Sequence, residues 1–205
     1  MVIQTLQAKA SIDLKDSPIV FLGFGADAPQ WHWNDYKDID VRGKTVIVLV
    51  NDPGFATLDP KLFNGRAMTY YGRWTYKFAE AALKGAAACL IVHTSDAAAG
   101  YPFSVLQNSN GGPQLSLPLS VDPAPRLPVA GWLTRAAAER LFTAAGQNFD
   151  QLEKAAAKPG FTPVPLNATA SVSLKNEIGH IQSRNVLAMV KGSSKPDEAV
   201  VTPSL

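Results

Sequence analysis

The chain has 205 residues, which is enough for one sizeable hydrophobic core. Hydrophobic residues make up 46% of the chain and charged residues 18%, and these proportions exclude an intrinsically disordered protein. The net charge is only +2 and Lys and Arg form no stripe along the chain, so no nucleic-acid partner is expected.

Two buried strands are predicted in the first 50 residues. The run Ile19–Gly25 is apolar and ends in two glycines, which is typical of a strand followed by a loop. Ala28–Tyr36 is predicted to be a polar-aromatic loop. Thr45–Val50 consists of β-favouring residues after a polar Arg-Gly-Lys sequence, which indicates a second buried strand. The Pro-Gly pair within Asn51–Phe55 then predicts a tight turn.

The middle of the chain changes from strand to helix and back to strand. Breaker residues make Leu58–Gly72 irregular. The apolar spacing in Thr75–Ala88 predicts a helix with Thr75 as its N-cap, and Gly85 marks its expected end. Ala88–Val92 is predicted to be a buried strand. A strand, a helix and a strand in this order favour a crossover unit with two parallel strands.

A long segment rich in Ser, Asn, Gly and Pro follows, Thr94–Pro128, which is either functional or carries short strands. Leu127–Ala130 is predicted to be one such strand. Two helices come next, each after a residue that can cap its first turn: Arg135–Ala145 after Thr134, and Phe149–Ala157 after Asn148.

The sequence changes in character after Pro165, where a domain boundary is predicted between residues 162 and 167. We therefore divide the chain into residues 1–165 and 166–205. Three strands are predicted in the second part: Ala168–Leu174, Ser183–Val190 and one that starts at Glu198–Val201.

The chain shows no sign of a membrane anchor or a disulfide framework. Cys89 is the single cysteine, so no disulfide can form within the chain. No segment approaches the roughly 18 consecutive apolar residues of a membrane-spanning helix. Met1–Leu6 lacks a basic region followed by an apolar one, so no signal peptide is expected in this chain.

Several stretches, spread over most of the chain, resemble the protease-associated (PA) insert of bacterial M28-family zinc aminopeptidases. They are Ile19–Gly25, Asp35–Lys44, Asn51–Phe55, Gly65–Lys77, Ala86–His93 and Pro159–Phe161. A further stretch, Ser183–Gly192 with Asp197 and Glu198 after it, is similar to the strand on which such chains return to the peptidase domain.

The resemblance implies a fold, a parent protein and a set of partners. The fold would be a β-rich α+β class, a PA-like open barrel or sandwich with two or three peripheral helices, followed by C-terminal strands of a truncated peptidase domain in residues 166–205. The parent would be a zinc aminopeptidase with two zinc ions, exported to the periplasm or secreted. The partners would be its peptidase domain and peptide or protein substrates.

The resemblance also implies that this chain is not catalytic by itself. A similar peptidase would continue with a Val-Val-x-x-Ala-His-x-Asp run whose His binds zinc. After Val200 and Val201 this chain has Thr202–Leu205 instead. We therefore expect no metal ligand and no cofactor in this chain, and a role in gating or positioning peptide substrates or in protein interaction.

No arrangement of reactive side chains in the sequence contradicts that expectation. Cys89 and His93 lie about 13 Å apart along one strand, which is too far for a catalytic pair. Neither a His-Glu-x-x-His motif nor a Gly-x-Ser-x-Gly motif occurs. We expect structural roles for His93 and His180 and a surface or interface position for His32. Turn or capping roles are expected for Asp35, Asp38 and Asp40.

Aromatic residues are the best candidates for contact with a substrate or partner, since Trp, Tyr and Arg dominate binding energy at interfaces. The aromatic candidates lie in two predicted loops, with Trp31 and Trp33 in the first and Tyr70, Tyr71, Trp74 and Tyr76 in the second. Arg73 lies among those of the second loop and is a candidate with them. The other interpretation is that these rings cover the ends of a barrel-like core.

Two other functions stay open from the sequence. One is a free-standing module that binds a peptide or protein, and the other is an independent hydrolase with an unrecognised site. We also expect that the C-terminal strands, if separated from a larger sheet, expose unpaired edges through which the chain can associate with itself.

Overall fold

The computed structural model describes residues 1–184, 186, 188–190, 193–195 and 198. Its strands are β1 (Val2–Gln4), β2 (Ser11–Phe21), β3 (Asp27–Ala28), β4 (Trp33–Asn34), β5 (Thr45–Leu49), β6 (Ala88–His93), β7 (Val129–Thr134) and β8 (Val164–Lys175). Its α-helices are α1 (Pro53–Thr57), α2 (Trp74–Leu83), α3 (Asp96–Ala99), α4 (Phe103–Ser109), α5 (Arg135–Ala144) and α6 (Phe149–Ala156).

Six of the strands form one mixed sheet in the order β1-β7-β6-β5-β2-β8. The four inner strands β7, β6, β5 and β2 are parallel, and the outer strands β1 and β8 are antiparallel to their neighbours. β3 and β4 form a separate two-stranded ribbon. β5 and β6 are parallel neighbours joined through α2, so the predicted crossover unit is confirmed.

Helices cover both faces of this sheet. In β5, Val46 and Val48 pack on the face covered by α2, α3 and α4, whereas Ile47 and Leu49 pack on the face covered by α5 and α6. Strands buried on both faces are continuously apolar, which is why Thr45–Val50 shows no alternation. The mixed α+β class is confirmed, with six helices in the described residues where two or three were predicted.

Two of the predicted helix starts are confirmed and one is wrong. Thr134 accepts a hydrogen bond from the Ala137 backbone at the start of α5, and Asn148 does the same for the first turn of α6. The N-cap of α2 is Arg73 rather than Thr75. Gly85 follows α2 with a φ of 80°, a left-handed conformation that glycine adopts without strain.

The segment after β5 is a helix and not only a turn. Asp52 is the N-cap of α1 and Pro53 is its first residue, a combination that favours helix initiation. The predicted turn over Asn51–Phe55 was therefore an incomplete description. The long segment Thr94–Pro128 carries the two short helices α3 and α4, and the strand predicted at Leu127–Ala130 corresponds to β7, which begins at Val129.

β8 pairs with β2 along nearly its whole length and spans the predicted boundary at residue 165. Where the two strands extend past the inner sheet, Ile12 of β2 packs on Ala88 and Val129 at the amino ends of β6 and β7. The described residues of the predicted strand Ser183–Val190 form no strand. Of Glu198–Val201 only the first residue is described, so that prediction lies outside the described residues.

Candidate functional site

Buried polar residues gather at the carboxyl end of the parallel strands. Asn51 and Asp52 lie one residue after the end of β5 and are both buried, and His93 is the buried last residue of β6. Ligands of open α/β sheets bind in the crevice outside the carboxyl ends of the strands. This end of the molecule is therefore where a functional site is expected.

Asp52 joins α1 to the loop that carries the second group of aromatic residues. Its carboxylate accepts hydrogen bonds from the Thr69 backbone at 2.9 Å and from the Thr69 hydroxyl at 2.7 Å, besides capping α1. The Asn51 amide donates to the Ala98 carbonyl at 2.8 Å. Asp52 is completely buried, and hydrogen bonds to a carboxylate are stronger than those between neutral groups. The two bonds between Asp52 and Thr69 therefore hold the loop against the end of the sheet.

Gly72 allows the same loop to approach this site closely. A β-carbon at Gly72 would lie 2.7 Å from the Met68 side chain and 3.0 Å from the Asn51 amide oxygen. A side chain at position 72 would therefore require the Met68 side chain, and to a smaller extent that of Asn51, to shift.

Five of the seven candidates have solvent access, and we call this group the aromatic rim: Trp31, Tyr70, Tyr71, Arg73 and Trp74. The Tyr70 side chain is 61% exposed and the Trp74 side chain 47%. Tyr70 contacts Tyr71 edge to face with ring centroids 5.7 Å apart. The Trp31 ring contacts the Tyr71 ring edge to face, at a centroid distance of 6.4 Å.

The other two candidates, Trp33 and Tyr76, are buried beneath the rim. The Trp33 indole donates a hydrogen bond to the Asp35 carboxylate at 2.7 Å. The Tyr76 hydroxyl accepts one from the Asp27 backbone at 2.9 Å, and its ring contacts Tyr70 at 5.1 Å. Both residues therefore support the rim from inside, with little surface of their own for a partner.

A buried lysine lies beneath the same surface. Lys77 of α2 is fully buried and its ammonium donates to the Phe24 carbonyl at 2.6 Å. Burial lowers the pKa of Lys77 to about 8, against the opposing attraction of the Asp35 and Asp52 carboxylates. Burial likewise raises the pKa of Asp35 to about 7, although the Ala26 and Trp33 N–H groups stabilise its charged form.

A cleft of about 590 Å³ opens beside these residues. Its floor is apolar and contains Phe24, Leu49 and Val50 at the ends of β2 and β5. Its walls are α1, the start of α3 and α6. The sequence pattern does not predict this cleft, because its walls come from segments that are far apart in the chain, α1 and α6 among them.

The residues considered for catalysis have ordinary structural surroundings. The Nε2 atom of His93 forms a hydrogen bond of 2.8 Å with the Tyr101 carbonyl oxygen. Cys89 is buried in the core beneath α2, and burial raises the pKa of its thiol to about 12, so it is not a thiolate at neutral pH. Within the described ranges, no three His, Cys, Asp or Glu side chains are grouped in a way that could hold a metal ion.

The chain matches no family model, no curated protein and no solved structure. None of the helices in the described residues is long and apolar enough to cross a membrane.

Proposed function

We propose that this chain is a non-catalytic PA-type domain of an M28-like zinc aminopeptidase, and that its aromatic rim positions peptide substrates or contacts a protein partner. The motif resemblance described above supports the parent family, and the mixed α+β class agrees with a PA domain. In this proposal the two zinc ions belong to the peptidase domain of an exported parent.

One observation carries the binding role: large aromatic side chains are exposed on a surface that is held in place from behind. Tyr70 and Trp74 are the exposed rings, and Arg73 between them supplies an exposed guanidinium. Exposed Tyr, Trp and Arg within five consecutive residues have the composition of an interface hot spot.

Contacts with buried residues hold the rim residues in place, which favours binding. The Asp52–Thr69 bonds fix the loop before Tyr70, and Tyr76 fixes the first turn of α2 after it. A surface that is already ordered loses less conformational entropy when it binds, so more of the contact energy appears as affinity.

The binding role is tested by titrating the purified chain with unstructured peptides rich in apolar residues and following Trp fluorescence. Truncation of a hot-spot ring costs about 2 kcal/mol, so we expect roughly 30-fold weaker binding for Tyr70→Ala and for Trp74→Ala. Leu83→Ala is the matched control, because Leu83 is 64% exposed at the other end of α2. Equal effects at all three positions, or no binding at all, would exclude the rim as the binding surface.

The non-catalytic role is tested by incubating the same chain with zinc and aminopeptidase substrates. We expect no release of N-terminal residues, and zinc-dependent release would overturn the proposal. A coding sequence that continues past Leu205 into a His-x-Asp run supports the peptidase parent, whereas a stop codon supports the free-standing module.

A further inference from the structure

The cleft at the carboxyl end of β5 has the dimensions and the lining of a small-molecule site. Its volume of about 590 Å³ falls within the range of roughly 300–1,000 Å³ that is typical of ligand pockets. It lies on the α6 side of α1, and none of the aromatic rim residues lines it.

The interior of the cleft is suited to an apolar body. Phe24, Leu49 and Val50 form the floor, and Phe55 and Ala98 line the sides. Apolar area that a ligand buries against these side chains is the main source of its binding free energy, while the few polar groups at the edge decide orientation and selectivity.

The charge at the mouth of the cleft is positive. Glu153 also lines the cleft, and the Arg135 guanidinium that binds its carboxylate at 2.9 Å is shared with the carboxylates of Glu139 and Asp150. Lys154 and Lys158 line the same wall and are exposed, and neither makes an ion pair with any described residue. Two ammonium groups and one carboxylate, those of Lys154, Lys158 and Glu153, therefore line the cleft beside its apolar interior, and their formal charges sum to +1.

We propose that this cleft binds a small amphipathic monocarboxylate, with the apolar body in the interior and the carboxylate between Lys154 and Lys158. The volume favours a whole small molecule over the last residue of a peptide, since one side chain occupies only a minor part of such a space. The inference does not depend on the proposed PA-type function.

Octanoate is a suitable probe, with 1-octanol and octylamine as analogues that have the same chain and a different head group. By calorimetric titration of the full chain, we expect octanoate to bind more tightly than octanol, and octylamine to bind most weakly. The order follows from the charge at the mouth of the cleft. If octanol or octylamine binds as tightly as octanoate, the proposal is wrong.

Two variants separate the roles of the mouth and the interior. The double variant Lys154→Gln/Lys158→Gln should bind octanoate roughly tenfold more weakly and octanol with unchanged affinity, because only exposed ion pairs are lost. Ala157→Phe, which fills part of the cleft, should abolish binding of both. Lys9→Gln/Lys175→Gln is the matched control, with the same charge change on exposed lysines at the opposite end of the sheet.

Further outcomes decide against the proposal. An equal loss of octanoate affinity in the Lys9/Lys175 control would show a general charge effect in place of a site. A peptide that ends in a free C-terminal Phe and binds more tightly than octanoate would assign the cleft to peptide termini. Tyr70→Ala should leave octanoate affinity unchanged, so a failure of this inference can be distinguished from a failure of the aromatic rim.

Discussion

At the scale of single residues, the chain places its most unusual charge under the aromatic rim. Lys77 has three N–H donors and a single described hydrogen-bond acceptor, the Phe24 carbonyl. Asp35 and Asp52 supply compensating negative charge nearby, but neither forms an ion pair with it among the residues described. A buried lysine with too few hydrogen-bond partners lowers the free energy of unfolding when its amine is protonated.

This residue gives a prediction about pH. The folded-state pKa of Lys77 is about 8 and the ordinary value is 10.5, so the unfolded chain binds more protons between these pH values. The unfolding free energy of the natural chain should therefore rise, relative to that of Lys77→Met, by about 3 kcal/mol between pH 8 and pH 10.5. Urea unfolding of both proteins at several pH values measures this difference.

Lys84 on the same helix provides a control of opposite sign. Its hydrogen bond to Asp27 raises its pKa, so its contribution is present below the ordinary value and is lost as the pH rises through the folded-state value. The difference between the natural chain and Lys84→Met should not rise between pH 8 and pH 10.5. If the difference in unfolding free energy between the natural chain and Lys77→Met also stays constant between pH 8 and pH 10.5, Lys77 has no depressed pKa.

At the scale of elements, the bond between Asp52 and Thr69 connects α1 to the loop before α2. Thr69→Val keeps the shape of the side chain but removes the hydroxyl donor, which leaves a buried carboxylate with one bond fewer. We expect a loss of about 1–3 kcal/mol in unfolding free energy and faster amide hydrogen exchange in residues 66–73.

Thr57→Val is the matched control for this substitution. The Thr57 hydroxyl donates only to carbonyls within α1, at 3.0 Å to Pro53, so its removal should cost less and should leave exchange in residues 66–73 unchanged. Identical exchange profiles for the two variants would mean that the Asp52–Thr69 bond does not hold the loop.

The elements also show how far the sequence determines what is observed. The strands β5 and β6 were predictable because residues buried on both faces of a sheet form continuous apolar runs. The caps Thr134 and Asn148 were predictable because capping is local in sequence. α1 was not predicted, since a Pro-Gly pair favours a turn unless Asp52 is recognised as an N-cap before a proline.

The candidate site was less predictable than the strands. Trp33 and Tyr76 are buried because each finds a polar partner for its single polar group, and aromatic composition alone does not reveal such a partner. The burial of Lys77 depends on the loop that carries Phe24, more than fifty residues earlier in the chain. The cleft likewise depends on contacts between distant segments.

At the scale of the whole molecule, the two edges of the sheet differ greatly. One edge is β1, which has three residues, and the other is β8, which has twelve. Ala168–Leu174 within β8 contains no charge and no proline, and no described residue pairs with its outer edge. Such an edge is a template for pairing with another chain.

We therefore predict that the chain forms dimers by pairing β8 with β8, and that light scattering detects them as the protein concentration rises. Thr169→Lys puts a charge on an exposed position of β8 and should shift the equilibrium towards monomer, since charged residues on edge strands oppose pairing. Ser116→Lys makes the same charge change on an exposed loop and should leave the equilibrium unchanged. A natural chain that stays monomeric at high concentration, or equal effects of the two variants, would contradict association through β8.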